Sequence, residues 1–202
     1  MAHLDDFELS CLGYLFRHVN EYDKIRCIIA TTWEAKTQIW HENLNRICQF
    51  IGKELRYENL GFQQRKMQTN FDDIKDKFYS TVDFKERFDI LTHDFDDCHT
   101  DHIATHMIAK GLYKYCDRFT TVYSPSSVNF MANYWIGLGE DQHNLKRNFL
   151  DKYSINVEQS YTKLGYYLQD TQHYDVGSAY YRENFVHADH EHHECYKILK
   201  WK

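Results

Sequence analysis

The sequence contains very little proline or glycine. One proline, Pro125, and eight glycines occur in 202 residues. Proline interrupts helices and strands, and glycine supplies the conformations that tight turns need. Their scarcity leaves long stretches free to form uninterrupted helices, whereas an all-β fold would need many more turn residues. We therefore expect a nearly all-helical chain.

Clusters of basic residues and long apolar runs are also absent. The formal net charge is −6, and the longest basic runs are pairs such as Arg65-Lys66 and Lys146-Arg147. Binding to nucleic acid requires lysine and arginine concentrated on one face, so we expect no nucleic-acid partner. No apolar run approaches the about 20 residues that span a bilayer, and the acidic segment Met1–Asp6 is unlike a signal peptide. We therefore expect a cytoplasmic protein that does not enter a membrane.

Sequence signatures of common catalytic and cofactor sites are missing as well. The six cysteines show no Cys-x-x-Cys spacing, which indicates reduced thiols inside the fold. There is no Gly-x-Ser-x-Gly nucleophile motif and no glycine-rich phosphate loop. The serine-rich segment 124–127 is interpreted as a loop, and it is also the place where the chain could divide into two parts. These absences favour a protein without a cofactor and without enzymatic activity.

Two similar stretches lie near opposite ends of the chain. One is LGYLFRHVNEYDKIRCIIA, beginning at Leu12, and the other is LGYYLQDTQHYDVGSAYY, beginning at Leu164. Both open with Leu-Gly-Tyr, and a second tyrosine, Tyr22 or Tyr174, follows at the same spacing. Glycine within a helix costs about 1 kcal/mol relative to alanine, so its recurrence indicates close packing at that point.

These stretches resemble the tetratricopeptide repeat, in which two antiparallel helices form each unit. The last copy fills the leucine, glycine, junction-tyrosine, small and aromatic positions with Leu164, Gly165, Tyr174, Gly177 and Tyr181. Weaker copies begin at Ile47 and Met131, and another places Phe95 at the junction. The resemblance implies an all-α fold: a right-handed α-solenoid of about five antiparallel helix pairs with a C-terminal capping helix, forming a single domain over 1–202.

The resemblance also implies a function in binding. In this family the inner faces of the first helices line a concave groove that holds a protein or peptide segment. Carried over position by position, the groove residues are Tyr14, Arg17, Gln49, Lys53, Asn129, Asn133, Tyr166 and Gln169. We therefore expect a partner-binding module that is a monomer or a dimer, or a subunit of a larger complex.

Thirteen histidines support an alternative hypothesis. His99, His102 and His106 would form one stripe on a helix, because they are separated by three and then four positions. His187, His190 and Glu194 would form a second stripe near the C-terminus. Histidines and carboxylates on facing helices bind metal in di-iron and di-manganese bundles, although a clean Glu-x-x-His motif is missing here. The alternatives are thus a metal-dependent helical-bundle enzyme and a histidine-rich polar surface.

Overall fold

The computed structural model describes residues 1–124, 126–156 and 192–201, which form a mixed α/β fold. Its helices are α1 (Leu4–Ser10), α2 (Leu12–His18), α3 (Glu34–Ile51), α4 (Phe71–Ser80), α5 (Thr100–Lys110) and α6 (Glu140–Asn156). Its strands are β1 (Ile25–Thr32), β2 (Leu55–Gln63), β3 (Asp89–His93), β4 (Arg118–Val122), β5 (Tyr134–Leu138) and β6 (His192–Trp201).

The strands form two sheets. In the first sheet β1 and β2 are parallel, with α3 between them in the chain. The second sheet has the order β3-β4-β6-β5, in which β3 and β4 are parallel with α5 between them, and β6 pairs antiparallel with both β4 and β5. Parallel strands need a long crossover connection, and a helix supplies it in both pairs.

The first two residues of the chain extend the β1 sheet. Met1 N donates to Ile28 O at 2.7 Å, and Ala30 N donates to Met1 O at 3.0 Å. Residues 1–2 therefore run parallel to β1. Helix α1 begins two residues later, at Leu4. Strand β3 ends at His93, and α5 begins soon afterwards. The segments that follow these parallel strands meet at one edge, which is where open α/β sheets place their functional groups.

The predicted α-solenoid is wrong, because six of the described elements are β-strands. The segment Ile25–Thr32 was expected to be helical, but it forms β1, which pairs with β2. Its run of isoleucine and threonine is typical of a buried strand, and a short apolar run cannot be separated from a buried helix by periodicity alone. The predicted C-terminal capping helix is also wrong, since His192–Trp201 forms β6.

The glycine at the start of the first similar stretch does have a packing role. A Cβ atom at Gly13 would lie 2.9 Å from Glu194 Oε2, which is too close for a carbon atom. The contact is made with β6 and not with a second helix of a repeat. The other similar stretch, beginning at Leu164, lies outside the described residues.

The main hydrophobic core lies between α1, α2 and α3 and the sheets, and includes Leu12, Ile29, Trp40 and Ile47. A cavity of about 660 Å³ is lined in part by apolar side chains of β1, β3 and α5. No helix in the described part of the chain combines the length and the apolarity required to cross a bilayer.

Candidate metal centre

Three side-chain donor atoms converge at the sheet edge. His3 precedes α1, Asp6 lies in the first turn of α1, and His102 lies in the first turn of α5. His3 Nδ1 lies 3.1 Å from Asp6 Oδ2 and 3.3 Å from His102 Nε2, and His102 Nε2 lies 3.4 Å from Asp6 Oδ1. All three side chains are buried. The fold thus brings two imidazoles and one carboxylate together in a site with little access to water.

Each histidine of this set has a carboxylate on its other ring nitrogen. His3 Nε2 lies 3.2 Å from Asp101 Oδ2, and His102 Nδ1 lies 3.0 Å from Asp97 Oδ2. A carboxylate accepts the proton of the nitrogen that faces it, so once the rings are deprotonated their lone pairs lie on His3 Nδ1 and His102 Nε2, which face each other and Asp6. Metal-binding histidines in proteins have this same outer carboxylate.

The spacing of the three donors fits a tetrahedral metal ion. Zinc holds nitrogen and oxygen ligands at about 2.0–2.1 Å, so two ligands at a tetrahedral angle lie about 3.3–3.4 Å apart. The observed separations are 3.1 Å from His3 Nδ1 to Asp6 Oδ2, 3.3 Å between the two imidazole nitrogens, and 3.4 Å from His102 Nε2 to the other oxygen of Asp6. Two imidazoles and one carboxylate are also a donor set that divalent transition metals accept, with a fourth position left for water or substrate. The residues present therefore fit a zinc-type ion.

Protons balance the negative charge of this site in the protein without a cation. Burial by itself would lower the pKa of His3, but the charge of Asp6 and hydrogen bonds to Asp101 and Asp6 raise that pKa to about 10. For His102 burial is again opposed by Asp6 and by Asp97, and the pKa rises to about 9. Burial would raise the pKa of Asp6, yet His102, His3 and His93 hold it well below its usual value. A divalent cation could replace the two imidazole protons.

His93, the last residue of β3, forms one wall of the centre. Its ring stacks on the ring of His102 with centroids 3.8 Å apart, and its Nε2 lies 3.1 Å from Asp6 Oδ2. Burial first, and then the charge of His102, lowers the pKa of His93 to about 3, so the ring is neutral at pH 7. His106 lies behind it and donates from Nδ1 to the carbonyl oxygen of His93 at 2.9 Å.

Asp5 supplies a second carboxylate next to the three donors. Its Oδ2 accepts from Lys36 Nζ at 2.6 Å, and this lysine is almost completely buried in the first turns of α3. The Lys36 ammonium group also lies 4.1 Å from the centre of the Trp33 ring. Burial would raise the pKa of Asp5, but the charge of Lys36 brings it below the ordinary value. Asp5 is therefore ionised at neutral pH and can accept a proton.

His99 caps the N-terminus of α5 and borders the same centre. Its Nδ1 accepts from the backbone N–H of Asp101 at 3.2 Å, so the neutral ring carries its proton on Nε2. The ring lies 4.6 Å from the ring of His102 and 4.7 Å from that of His3, and it is half-buried. Burial and then the charge of His102 lower the pKa of His99. This histidine can therefore act as a hydrogen-bond donor beside the three donor atoms.

The structure brings together two of the six histidines and carboxylates named as metal candidates. His99 and His102 belong to the centre, while His106 is buried behind His93. Glu194 is remote from it and pairs with Lys146 Nζ at 2.7 Å. His187 and His190 lie outside the described residues.

The described residues that were predicted to line a peptide-binding groove do not share one face of a helical stack, because they lie on two helices and on loops. Tyr14 is buried and accepts from Arg118, and Lys53 donates to the carbonyl oxygen of Val19. Asn133 bonds the backbone of Ile198 in β6 through both side-chain atoms. The side chains of the remaining described members are exposed, namely Arg17, Gln49 and Asn129. Tyr166 and Gln169 lie outside the described residues.

The N-terminal half of the centre was missed in the sequence. His3 and Asp6 were read only as part of an acidic N-terminus, and Asp5, Asp97 and Asp101 were not considered. One local signal was present: His3 and Asp6 have the spacing of one helical turn, as do His99 and His102. Two such pairs in one chain predict a metal site more strongly than a stripe of histidines does.

Comparisons with solved structures show the same fold in two deacetylases. The chain is similar to N,N'-diacetylchitobiose deacetylase from Pyrococcus horikoshii, with a TM-score of 0.66 and 11% identity over 98% of this chain and 80% of that one. It is also similar to Dbv21, the deacetylase of the A40926 pseudoaglycone, with a TM-score of 0.61 and 12% identity over 99% and 95% of the two chains. No curated protein matches the sequence.

A family model described as PIG-L, GlcNAc-PI de-N-acetylase, matches residues 1–113, which is more than half of the chain and includes every residue of the centre. This match overturns the resemblance to tetratricopeptide repeats and, with it, the predicted non-catalytic binding module. The alternative of a di-iron or di-manganese helical bundle is wrong as well, because the histidines lie at the edge of parallel strands. The chain belongs to the PIG-L family.

Proposed function

We propose that this protein is a metal-dependent deacetylase that hydrolyses the acetamide group of an N-acetylated amino sugar. The observation that carries the proposal is the convergence of His3 Nδ1, Asp6 and His102 Nε2 within 3.1–3.4 Å of one another, beside Asp5 and His99. Membership of the PIG-L family and the likeness to two proteins named as deacetylases support it. The proposal includes a metal ion, although the sequence was expected to need no cofactor.

His3, Asp6 and His102 would hold the ion. A bound zinc-type ion supplies Lewis acidity, which polarises a carbonyl group and makes a water molecule more acidic. The buried carboxylates Asp97 and Asp101 keep the two imidazoles in the tautomers that leave a lone pair for the ion.

Asp5 is the general base in this proposal. The reaction adds the oxygen of water to the acetyl carbon and breaks the bond between that carbon and the amide nitrogen. Asp5 is ionised at neutral pH and accepts the proton that the attacking water loses. Its ion pair with Lys36 fixes the carboxylate beside the centre.

His99 is the hydrogen-bond donor in this proposal. Its Nε2 carries the proton of the neutral ring, since Nδ1 accepts from the Asp101 backbone. A donor in this position stabilises the negative charge that develops on the acetyl oxygen, and it can supply the proton that the leaving amine requires. The products are acetate and the free amino sugar.

Acetate release from defined N-acetylated sugars tests the proposal. Purified protein loaded with zinc is incubated with N-acetylglucosamine or N,N'-diacetylchitobiose, and acetate and free amine are both quantified. We expect equal amounts of the two products, loss of activity after chelation, and recovery on adding zinc back.

Two aspartate variants provide the comparison for this assay. Asp5→Asn should retain zinc but lose most of the activity, whereas Asp73→Asn, at an exposed position on α4, should behave as the unaltered protein. Absence of acetate release by the zinc-loaded protein, or equal release by the chelated protein, would contradict the proposal.

The cytoplasmic location, the monomeric or dimeric state, and the absence of nucleic-acid and membrane partners stay predictions.

A further inference from the structure

The segment that follows β4 packs against the loop between β3 and α5. Cys98 N donates to Ser126 O at 2.8 Å, and Val128 N donates to Asp96 O at 2.9 Å. Asp97 and Ser127 form an isolated antiparallel bridge between the two loops. The serine-rich segment was interpreted from the sequence as a simple connection. In the structure it is bonded to the loop that carries Asp97.

Ser124 is the member of this segment that reaches Asp97 most directly. Its side chain is buried, and its hydroxyl donates to Asp97 Oδ2 at 2.6 Å. The same oxygen faces His102 Nδ1 at 3.0 Å, while Asp97 Oδ1 accepts from the backbone N–H of His99 at 2.7 Å. Asp97 therefore links the serine segment to both histidines at the start of α5.

We propose that Ser124 is a positioning residue of the metal centre, which acts through Asp97 on the ligand atom His102 Nε2. This inference rests on the proposed function only in taking His102 as a ligand. The Ser124 hydroxyl has hydrogen bonds to Asp97, Ser126 and Ser127, and it reaches His102 through Asp97. Its effect passes through two hydrogen bonds that share one carboxylate oxygen.

The physical reason is the orientation of the Asp97 carboxylate. The His99 backbone holds one oxygen, and without Ser124 the remaining side-chain partners of the carboxylate are His102 and Ser126. The carboxylate could then rotate away from His102 Nδ1, and the imidazole would lose the acceptor that keeps its proton on Nδ1. The alternative tautomer places a proton on Nε2, where it would block the ion. The Ser126 hydroxyl also bonds Asp97 and lies 3.2 Å from His102 Nδ1, and its single proton can replace the Ser124 contact only in part.

Zinc affinity measured by competition with a chromophoric chelator tests the inference without any substrate. Loss of an outer-sphere partner costs metal sites about 10–100-fold in affinity, and we expect this for Asp97→Asn. Ser124→Ala should cost less, about fivefold, because one hydrogen bond to the Asp97 carboxylate is lost and Asp97 itself remains. The matched control is Thr120→Val, which removes another buried hydroxyl from β4 that has no hydrogen-bond partner among the described residues.

A spectroscopic measurement separates positioning from a general loss of stability. In ¹⁵N-histidine spectra of the zinc-loaded protein, the Nδ1 proton of His102 should exchange with water faster in Ser124→Ala than in Thr120→Val. Zinc affinity and proton exchange that are the same in Ser124→Ala and in the unaltered protein would overturn the inference, even if the protein is an active deacetylase. Failure of the unaltered protein to bind zinc would overturn both this inference and the proposed function.

Discussion

His3 Nδ1 and His102 Nε2 lie 3.3 Å apart although the two residues are 99 positions apart in the chain. The contact joins the segment that precedes α1 to the first turn of α5. Asp6 completes the set, and Asp101 and Asp97 each accept from the outer nitrogen of one histidine. This arrangement leads to four predictions, each of which can be measured on the purified chain.

Removal of one proposed ligand should abolish tight metal binding. We expect His102→Gln to weaken zinc binding by more than about 100-fold, because even outer-sphere changes cost about 10–100-fold. His41→Gln, on the exposed surface of α3, is the matched control and should bind zinc normally. Chelator competition gives both affinities, and similar values for the two variants would contradict the assignment of His102 as a ligand.

Zinc binding should release protons at pH 7. In the cation-free protein the pKa of His3 is raised to about 10 and that of His102 to about 9, so both rings are protonated at neutral pH. A metal ligand must be deprotonated, and we therefore expect release of about two protons for each ion bound. Calorimetric titrations in buffers of different ionisation enthalpy count these protons. Binding without proton release would contradict the assigned protonation of the two rings.

The stability of the zinc-free protein should fall at alkaline pH. The pKa values of His3 and His102 are higher in the folded chain than the ordinary value of about 6.5. Their contribution to the free energy of unfolding is therefore complete below about pH 6.5 and is lost as the pH rises through about 9–10. Asp6 and His93 have lowered pKa values, so their contributions are lost only towards acid pH.

Urea denaturation in the presence of a chelator at pH 7 and pH 10 measures this loss. We expect a lower free energy of unfolding at pH 10, with a smaller pH dependence in His102→Gln. An equal pH dependence in this variant and in the unaltered chain would contradict the assigned protonation of His102.

Lys36 should contribute more to stability than a surface lysine does. Its ammonium group is buried with Asp5 Oδ2 at 2.6 Å. Removing one partner of a buried ion pair leaves an uncompensated charge, so Lys36→Met should lower the free energy of unfolding by about 3 kcal/mol. Lys24 pairs with Glu86 at the exposed surface, and Lys24→Met should cost less than about 1 kcal/mol. Chemical denaturation measures the free energy of unfolding of both variants. Equal losses would show that the Lys36–Asp5 pair stabilises the fold no more than the surface pair does.

Local patterns predicted some of the elements correctly. Within the chain that was expected to be nearly all-helical, the segments of α1, α2 and α6 are helices. The spacing of His99 and His102 predicted a position on one helix, and in the structure His102 lies in α5 while His99 caps its N-terminus. In each case neighbours within one or two helical turns contain the information.

The sequence by itself determined the residue types of the centre and the single-turn spacing of His3 with Asp6 and of His99 with His102. Only the tertiary structure decided that these pairs meet, because parallel strands separated by crossover helices bring distant segments to one sheet edge. The strand β1 and the fold class were predicted wrongly because strand pairing also depends on distant segments. A short run such as Ile25–Thr32 fits a buried helix or a buried strand equally well, and hydrogen bonds to Met1–Ala2 and to β2 select the strand.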